Sequence, residues 1–307
     1  VPDSGCGSWL WEPQSTNLVT YSETYGSGTF FSGTSGSTID NTTRVSPSGE
    51  ANATQVTSTG AGKIQSIALT TLSQNTDYAF SFYAKNVDAT FVESRVLAIG
   101  GSGGSGLTQI SYINELSTEN WVRITHYFNT GTHTTFYLYM SNGLNSGGTI
   151  QLWGAQLEQQ SYATSYIPTE GSTNTRNQDV CTNGGSLASI NSTEGVLYAE
   201  IAALSDDGTF KFISLNTNAS NRLRLGYSST TNKISVLIQV DGAVKFNNSQ
   251  IGNINQVDFN KIAVSYSASG VKVFVNGVEV NSNTVNSSFA LLNKLDFRDG
   301  DTLNPFF

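Results

Sequence analysis

The sequence predicts an all-β protein made of two consecutive antiparallel β-sandwiches, preceded by an extended N-terminal arm. Composition points there first. Only 12% of the 307 residues are charged, against about 25% in an ordinary globular chain. Met occurs once and Lys and Arg together number 15, so good helix formers are sparse. Thr, Val, Ile, Tyr and Phe, the strand formers, are plentiful. The second observation is period-2 alternation of apolar and polar residues, which half-buried strands show. The third is regular turn chemistry between the apolar runs. At roughly 150 residues per domain, the length suggests two domains.

Residues 1–17 read as an arm, because Pro2, Gly5, Gly7 and Pro13 interrupt any regular element. Trp9 and Trp11 share one side of an extended chain and are expected to dock on a domain or a neighbouring subunit. Residues 18–165 form the first β-block. Its strand candidates are Ala61–Leu69, Asp77–Lys85, Phe91–Ile99, Gln109–Ile113, Trp121–Phe128, Thr134–Tyr139 and Ile150–Leu157. Tyr78, Phe80 and Phe82 alternate with Ala79, Ser81 and Tyr83, and Phe136 and Leu138 with Tyr137 and Tyr139. The run Gly100–Gly106 is a Gly/Ser loop, and no Lys-Ser/Thr follows it to make a phosphate cradle.

Residues 166–186 are a Thr/Asn/Ser/Gly-rich linker with Pro168, and 187–307 form the second β-block. Its candidates are Val196–Ala202, Phe210–Leu215, Asn221–Tyr227, Lys233–Val240, Val257–Tyr266, Val271–Val275 and Leu291–Phe297. Asn276-Gly277 and Asp241-Gly242 each separate two apolar runs, the strongest short hairpin signal.

A net charge of -8 and a pI near 4.7 disfavour nucleic acid and anionic membrane surfaces as partners. No apolar run approaches the roughly 20 residues of a membrane-spanning helix. Val1 is expected to begin a fragment or a processed chain. Cys6 and Cys181 flank the first block; they form either a disulfide, as suits an extracellular particle, or two separate thiols.

The first block carries Glu12-Pro13-Gln14-Ser15-Thr16-Asn17-Leu18, then Tyr78–Lys85, Trp121-Val122-Arg123, Leu152–Glu158 and Ala163–Thr169. In this order it resembles the carbohydrate-binding-module-like jelly rolls of phage tail and head-fibre proteins. The second block carries Glu194–Glu200, Val271–Val280 with its Asn-Gly turn, and Leu295–Gly300 leading to Asn304–Phe307. It resembles a laminin-G, concanavalin A-like lectin sandwich. That family continues with a further strand, so the block is expected to be truncated, or to take an edge from a partner.

The resemblance implies a phage virion surface protein without enzymatic activity: a head fibre, decoration or tail fibre that binds host-surface glycans. Other virion proteins would be its partners, and homo-oligomers are implied, a trimer by analogy. Two alternatives stay open: the carbohydrate-binding part of a secreted polysaccharide-degrading enzyme, and a purely structural virion protein without ligand. No catalytic group is assigned. Glu194 and Glu200 do not make the paired carboxylates of a glucanase, and His126 and His133 have no nucleophile motif beside them. Tyr112, Tyr137, Tyr139 and Tyr227 are the candidate stacking platforms for sugar, and Trp121 and Trp153 are assigned to core or domain contacts. Asp296, Asp299 and Asp301 are the densest acidic cluster; they make either a Ca2+ site or an Asp-Gly turn, and no other cofactor is implied. The sequons at Asn41, Asn52, Asn191, Asn218, Asn247 and Asn286 follow from an Asn/Ser/Thr-rich composition.

Overall fold

The computed structural model describes residues 10–98, 106–179 and 184–297. The chain is all-β, with two compact units. One spans Gln14–Asn177; the other joins the described residues of Val1–Pro13 to those of Gln178–Phe307.

In the Gln14–Asn177 unit the strands are β1 (Ser15–Asn17), β2 (Ser37–Arg44), β3 (Ala53–Ser58), β4 (Gly62–Gln65), β5 (Asp77–Asn86) and β6 (Glu93–Ala98), followed by β7 (Gly106–Ser111), β8 (Val122–Asn129), β9 (Phe136–Leu144), β10 (Thr149–Glu158) and β11 (Asn174–Arg176). A five-stranded sheet in the order β2-β3-β10-β5-β8 and a four-stranded sheet in the order β4-β9-β6-β7 enclose the core. Alternation decides which side chains enter it. Phe80 and Phe82 of β5, Ile124 and Phe128 of β8, and Leu138 and Met140 of β9 point inward and are buried. The expected strand Ala61–Leu69 is interrupted after Gln65. The Ser66 hydroxyl accepts from Leu138 N at 2.9 Å and donates to Ile67 O at 2.8 Å, which diverts the ladder.

The motif residues of this unit build a polar clamp. Asn17 donates from Nδ2 to Ala155 O (3.1 Å) and Ile167 O (2.9 Å). Its Oδ1 accepts from Val19 N and Leu157 N, both at 3.1 Å. The Gln156 amide accepts from Ile167 N at 2.7 Å and donates to Thr164 O at 3.3 Å. Glu158, fully buried, accepts from Ser15 Oγ (2.6 Å), Thr164 N (3.0 Å) and Gln160 Nε2 (3.0 Å). Together these groups fasten the incoming β1 and the outgoing 164–169 segment to β10.

The second unit contains β12 (Gly195–Ile201), β13 (Lys211–Asn218), β14 (Asn221–Tyr227), β15 (Ile234–Val240), β16 (Ala243–Ile251), β17 (Asn260–Ser267), β18 (Gly270–Val275), β19 (Val278–Asn283) and β20 (Lys294–Asp296). Its sheets run β12-β17-β18-β19 and β16-β15-β14-β13-β20, with Leu223, Leu225, Val236, Ile262, Val264 and Val273 among the buried residues. The two hairpins read from sequence close as expected. Asn276 and Gly277 have φ of 50° and 87°, and Asp241 and Gly242 have 50° and 79°, the left-handed pair that a type I′ turn needs. Strand β17 starts at Asn260 rather than Val257, because the Asn260 amide donates to Asn255 O (2.8 Å) and Asp258 O (2.7 Å) and holds a turn there. Trp11 stacks on Phe297 with centroids 4.7 Å apart, and Asp179 N donates to Glu12 O at 2.9 Å.

Two predictions follow from buried polar groups. His126 on β8 sits in the core, with Nε2 2.9 Å from Ser94 Oγ on β6 and Nδ1 without a partner. Burial lowers its pKa from 6.5 to about 4. Between those values the unfolded chain binds a proton that the folded protein does not, so stability falls as pH drops from 6.5 towards 4. The loss approaches roughly 3 kcal/mol. Urea midpoints across that range should show the loss, and His126→Leu should remove this component. Asn17→Ala strands two carbonyls and two amides, and a loss of about 3 kcal/mol or more in urea unfolding is expected.

Candidate functional site

The four-stranded sheet of the Gln14–Asn177 unit turns one face to the core and one outward. The outward face is set by the same alternation. Along residues 92–96, Val92, Ser94 and Val96 are buried while Glu93 and Arg95 are half-buried and face out. On β9, Leu138 and Met140 point in while Tyr137 and Tyr139 point out.

Register then aligns four outward side chains in one transverse row. Gln65 of β4 pairs with Tyr139 of β9, Tyr139 with Arg95 of β6, and Arg95 with Gln109 of β7. Neighbouring rows place Tyr137 beside Leu97, and Asn142 and Ser111 beside Glu93. The row therefore crosses the whole sheet and offers two amides, a phenol and a guanidinium. Tyr137, Arg95 and Gln65 are half-buried and Gln109 is exposed.

The Arg95 guanidinium lies over the Tyr139 ring, 4.9 Å from its centroid. Tyr139 is only 6% exposed, so it supports Arg95 from beneath and offers no free ring face. Burial raises the pKa of its hydroxyl, and the charge on Arg95 opposes that rise. Tyr137 keeps the more open ring. Glu93 is already engaged: it accepts from Gln109 Nε2 at 2.8 Å and from Asn142 Nδ2. Lys63 Nζ donates to Gln65 Oε1 at 3.1 Å. Polar groups that fork towards a planar platform are the usual means of holding a hydroxyl-rich ligand.

The other sequence candidates fall elsewhere. Tyr112 and Tyr227 are not platforms. Both are fully buried, with hydroxyls donating to Met140 O (2.8 Å) and Ile201 O (2.7 Å), and burial pushes the Tyr227 hydroxyl up to about 12. The two rings are themselves members of the two cores, and this burial takes them out of reach of a ligand. Asp296 is fully buried, accepts from Asn216 Nδ2 at 3.0 Å and lies 3.6 Å from Lys294 Nζ. Asp299 and Asp301 lie outside the described residues, as do Cys6 and Cys181. Among the described residues no three His, Cys, Asp or Glu side chains gather as a metal site. Trp153 is buried between Tyr83 (5.6 Å) and Tyr166 (4.3 Å). Glu194 and Glu200 are exposed, His133 is exposed, and His126 belongs to the core.

A concavity of about 550 Å³ lies along β12 in the other unit. Ile190, Leu197, Leu215 and Leu295 line it, with Glu194 and Tyr198 at its polar side. It holds no cation and no converging amides comparable to the transverse row.

Sequence reasoning missed Gln65, Arg95, Gln109, Glu93 and Asn142. The alternation of Val92, Ser94 and Val96 with Glu93 and Arg95 carried the signal for β6. The cross-strand alignment with Gln65 and Gln109 had none, because register depends on bulges in the ladders of β4, β6 and β9.

No family model matches the chain, and no curated protein matches it. Among solved structures it is similar to the CBM22-1 xylan-binding domain of Paenibacillus barcinonensis Xyn10C, at 17% identity over 48% of this chain and 94% of that one, with a TM-score of 0.34. It is also similar to the CBM22-1–CBM22-2 tandem of the same protein, at 10% identity over 94% and 91%, with a TM-score of 0.35. A third similarity is to domains LG4-5 of the mouse laminin alpha1 chain, at 9% identity over 80% and 83%, with a TM-score of 0.28. Similarities this weak fix neither ligand nor activity, which the chain's own geometry must carry.

The assignment of Tyr112 and Tyr227 to the cores has a direct test. Tyr112→Phe and Tyr227→Phe each remove one buried hydrogen bond and should lower unfolding free energy by about 1 kcal/mol in urea titrations.

Proposed function

We propose that this chain is a non-enzymatic glycan-binding protein whose ligand lies across the outward face of the β4-β9-β6-β7 sheet. One observation carries the reading: Gln65, Tyr139, Arg95 and Gln109 fall in a single row across all four strands, with Tyr137 beside them. A saccharide presents hydroxyls around its edge and C–H groups on its faces. Amides and a guanidinium serve the edge, and a tyrosine ring serves the face.

The setting we propose is the surface of a phage particle, as a head fibre, decoration or tail fibre contacting host polysaccharide. The arm Glu12–Leu18 and the exit Ala163–Thr169 support it through their resemblance to such proteins. Weak single sites on a homo-oligomer, a trimer by analogy, would gain affinity through multivalency. The glycan-binding half of the proposal holds equally for the carbohydrate-binding part of a polysaccharide-degrading enzyme.

A glycan array followed by affinity electrophoresis tests the reading. Wild type should be retarded by at least one polysaccharide, and Tyr137→Ala should weaken that binding about fivefold or more. Tyr227→Phe, in the other unit's core, should leave it unchanged. A blank array and no retardation would sink the glycan reading, and release of reducing ends from a bound polysaccharide would sink the non-enzymatic part.

A further inference from the structure

Resting on the glycan reading, the geometry points to an acidic saccharide as the ligand: one carrying a carboxylate, such as a uronic acid residue, placed on Arg95.

Arg95 stands in the middle of the transverse row, flanked by Tyr139 on one side and Gln109 on the other. Arg95 is half-buried with its guanidinium over the Tyr139 ring, and its Nε–H is buried there without an acceptor. Among the described residues no carboxylate forms an ion pair with it. The acid nearest in sequence on the same face, Glu93, is turned to Gln109 and Asn142 instead. Lys63 adds a second cation on β4, and its contact is with the Gln65 amide. The face thus holds two cations, and its one engaged carboxylate is satisfied by amides.

The chain as a whole is acidic, with a net charge of -8. A guanidinium held over a ring and not ion-paired within the protein is already positioned for a ligand that supplies the anion. Guanidinium suits the task. Its planar fork matches a carboxylate with two parallel hydrogen bonds, and its seat over the Tyr139 ring holds it in place. Gln65 and Gln109, one strand to either side of the Tyr139–Arg95 pair, are then in position for hydroxyls adjoining the carboxylate. Tyr137, on the next row, is left for the C–H face of the same or a neighbouring sugar.

The experiment uses the full chain and matched ligands: a uronic-acid oligosaccharide, and the same oligosaccharide with its carboxylates reduced to alcohols. Calorimetry or affinity electrophoresis should show the acid form binding at least about tenfold more tightly. Arg95→Gln should erase most of that difference, while Tyr137→Ala should weaken both forms alike. Because the matched pair is compared on unaltered protein, the result does not depend on a variant folding. Equal binding of the two forms, or an acid preference that survives in Arg95→Gln, overturns the inference and leaves the glycan reading standing. No binding of either form, with a blank array of neutral glycans, overturns both.

Discussion

The Gln14–Asn177 unit depends on one arrangement of buried amides and a buried carboxylate. Asn17, Gln156 and Glu158 take the hydrogen bonds that the backbone around β10 cannot satisfy within a sheet. Buried backbone groups without partners are costly, so irregular segments can cross a sheet face only where side chains replace the ladder. Here β1 and the 164–169 segment both lie against β10, and the side chains of Asn17, Gln156 and Glu158 join the three. The central strand is thereby fixed in place, and with it the two sheets whose register creates both the core and the outward row.

The same constraint explains what the sequence showed. Strand identity was legible wherever one face is core: Tyr78, Phe80 and Phe82 against Ala79, Ser81 and Tyr83 gave β5 directly. The hairpins at Asp241-Gly242 and Asn276-Gly277 were legible because so few residue pairs adopt positive φ twice in succession. Boundaries were less so. At Ser66 and Asn260 a side chain competes with the ladder, and nothing in apolar periodicity announces that competition. The motif residues around Leu152–Thr169 marked a family resemblance, and in the fold they are structural: their polar groups face the backbone of neighbouring segments rather than a ligand.

The site was legible by half. Tyr137 and Tyr139 alternate with core residues and so had to face out. Tyr112 and Tyr227 could not be separated from them by residue type, since a tyrosine whose hydroxyl reaches a buried carbonyl is as good a core residue as phenylalanine. Burial also divides the two tyrosines that do face out. Arg95 covers one ring and leaves the other, so a pair that looks equivalent in sequence becomes a support and a platform.

The division of the chain has a thermodynamic consequence of its own. The segment Gln14–Asn177 interrupts the other unit, whose Glu12 and Asp179 are joined by a backbone hydrogen bond. Bringing such distant residues together from a disordered chain would cost about 4–5 kcal/mol in closure entropy for a loop of this length. Pairing of Ser15–Asn17 with Asn174–Arg176 completes that closure when the inserted unit folds. The insert thus acts as a non-covalent cross-link, and its unfolding would return a long-loop entropy to the unit that it interrupts. Chain connectivity thus couples stability in the two units, and a proteolytic nick within the insert would be felt in both once the clamp around Asn17 gave way.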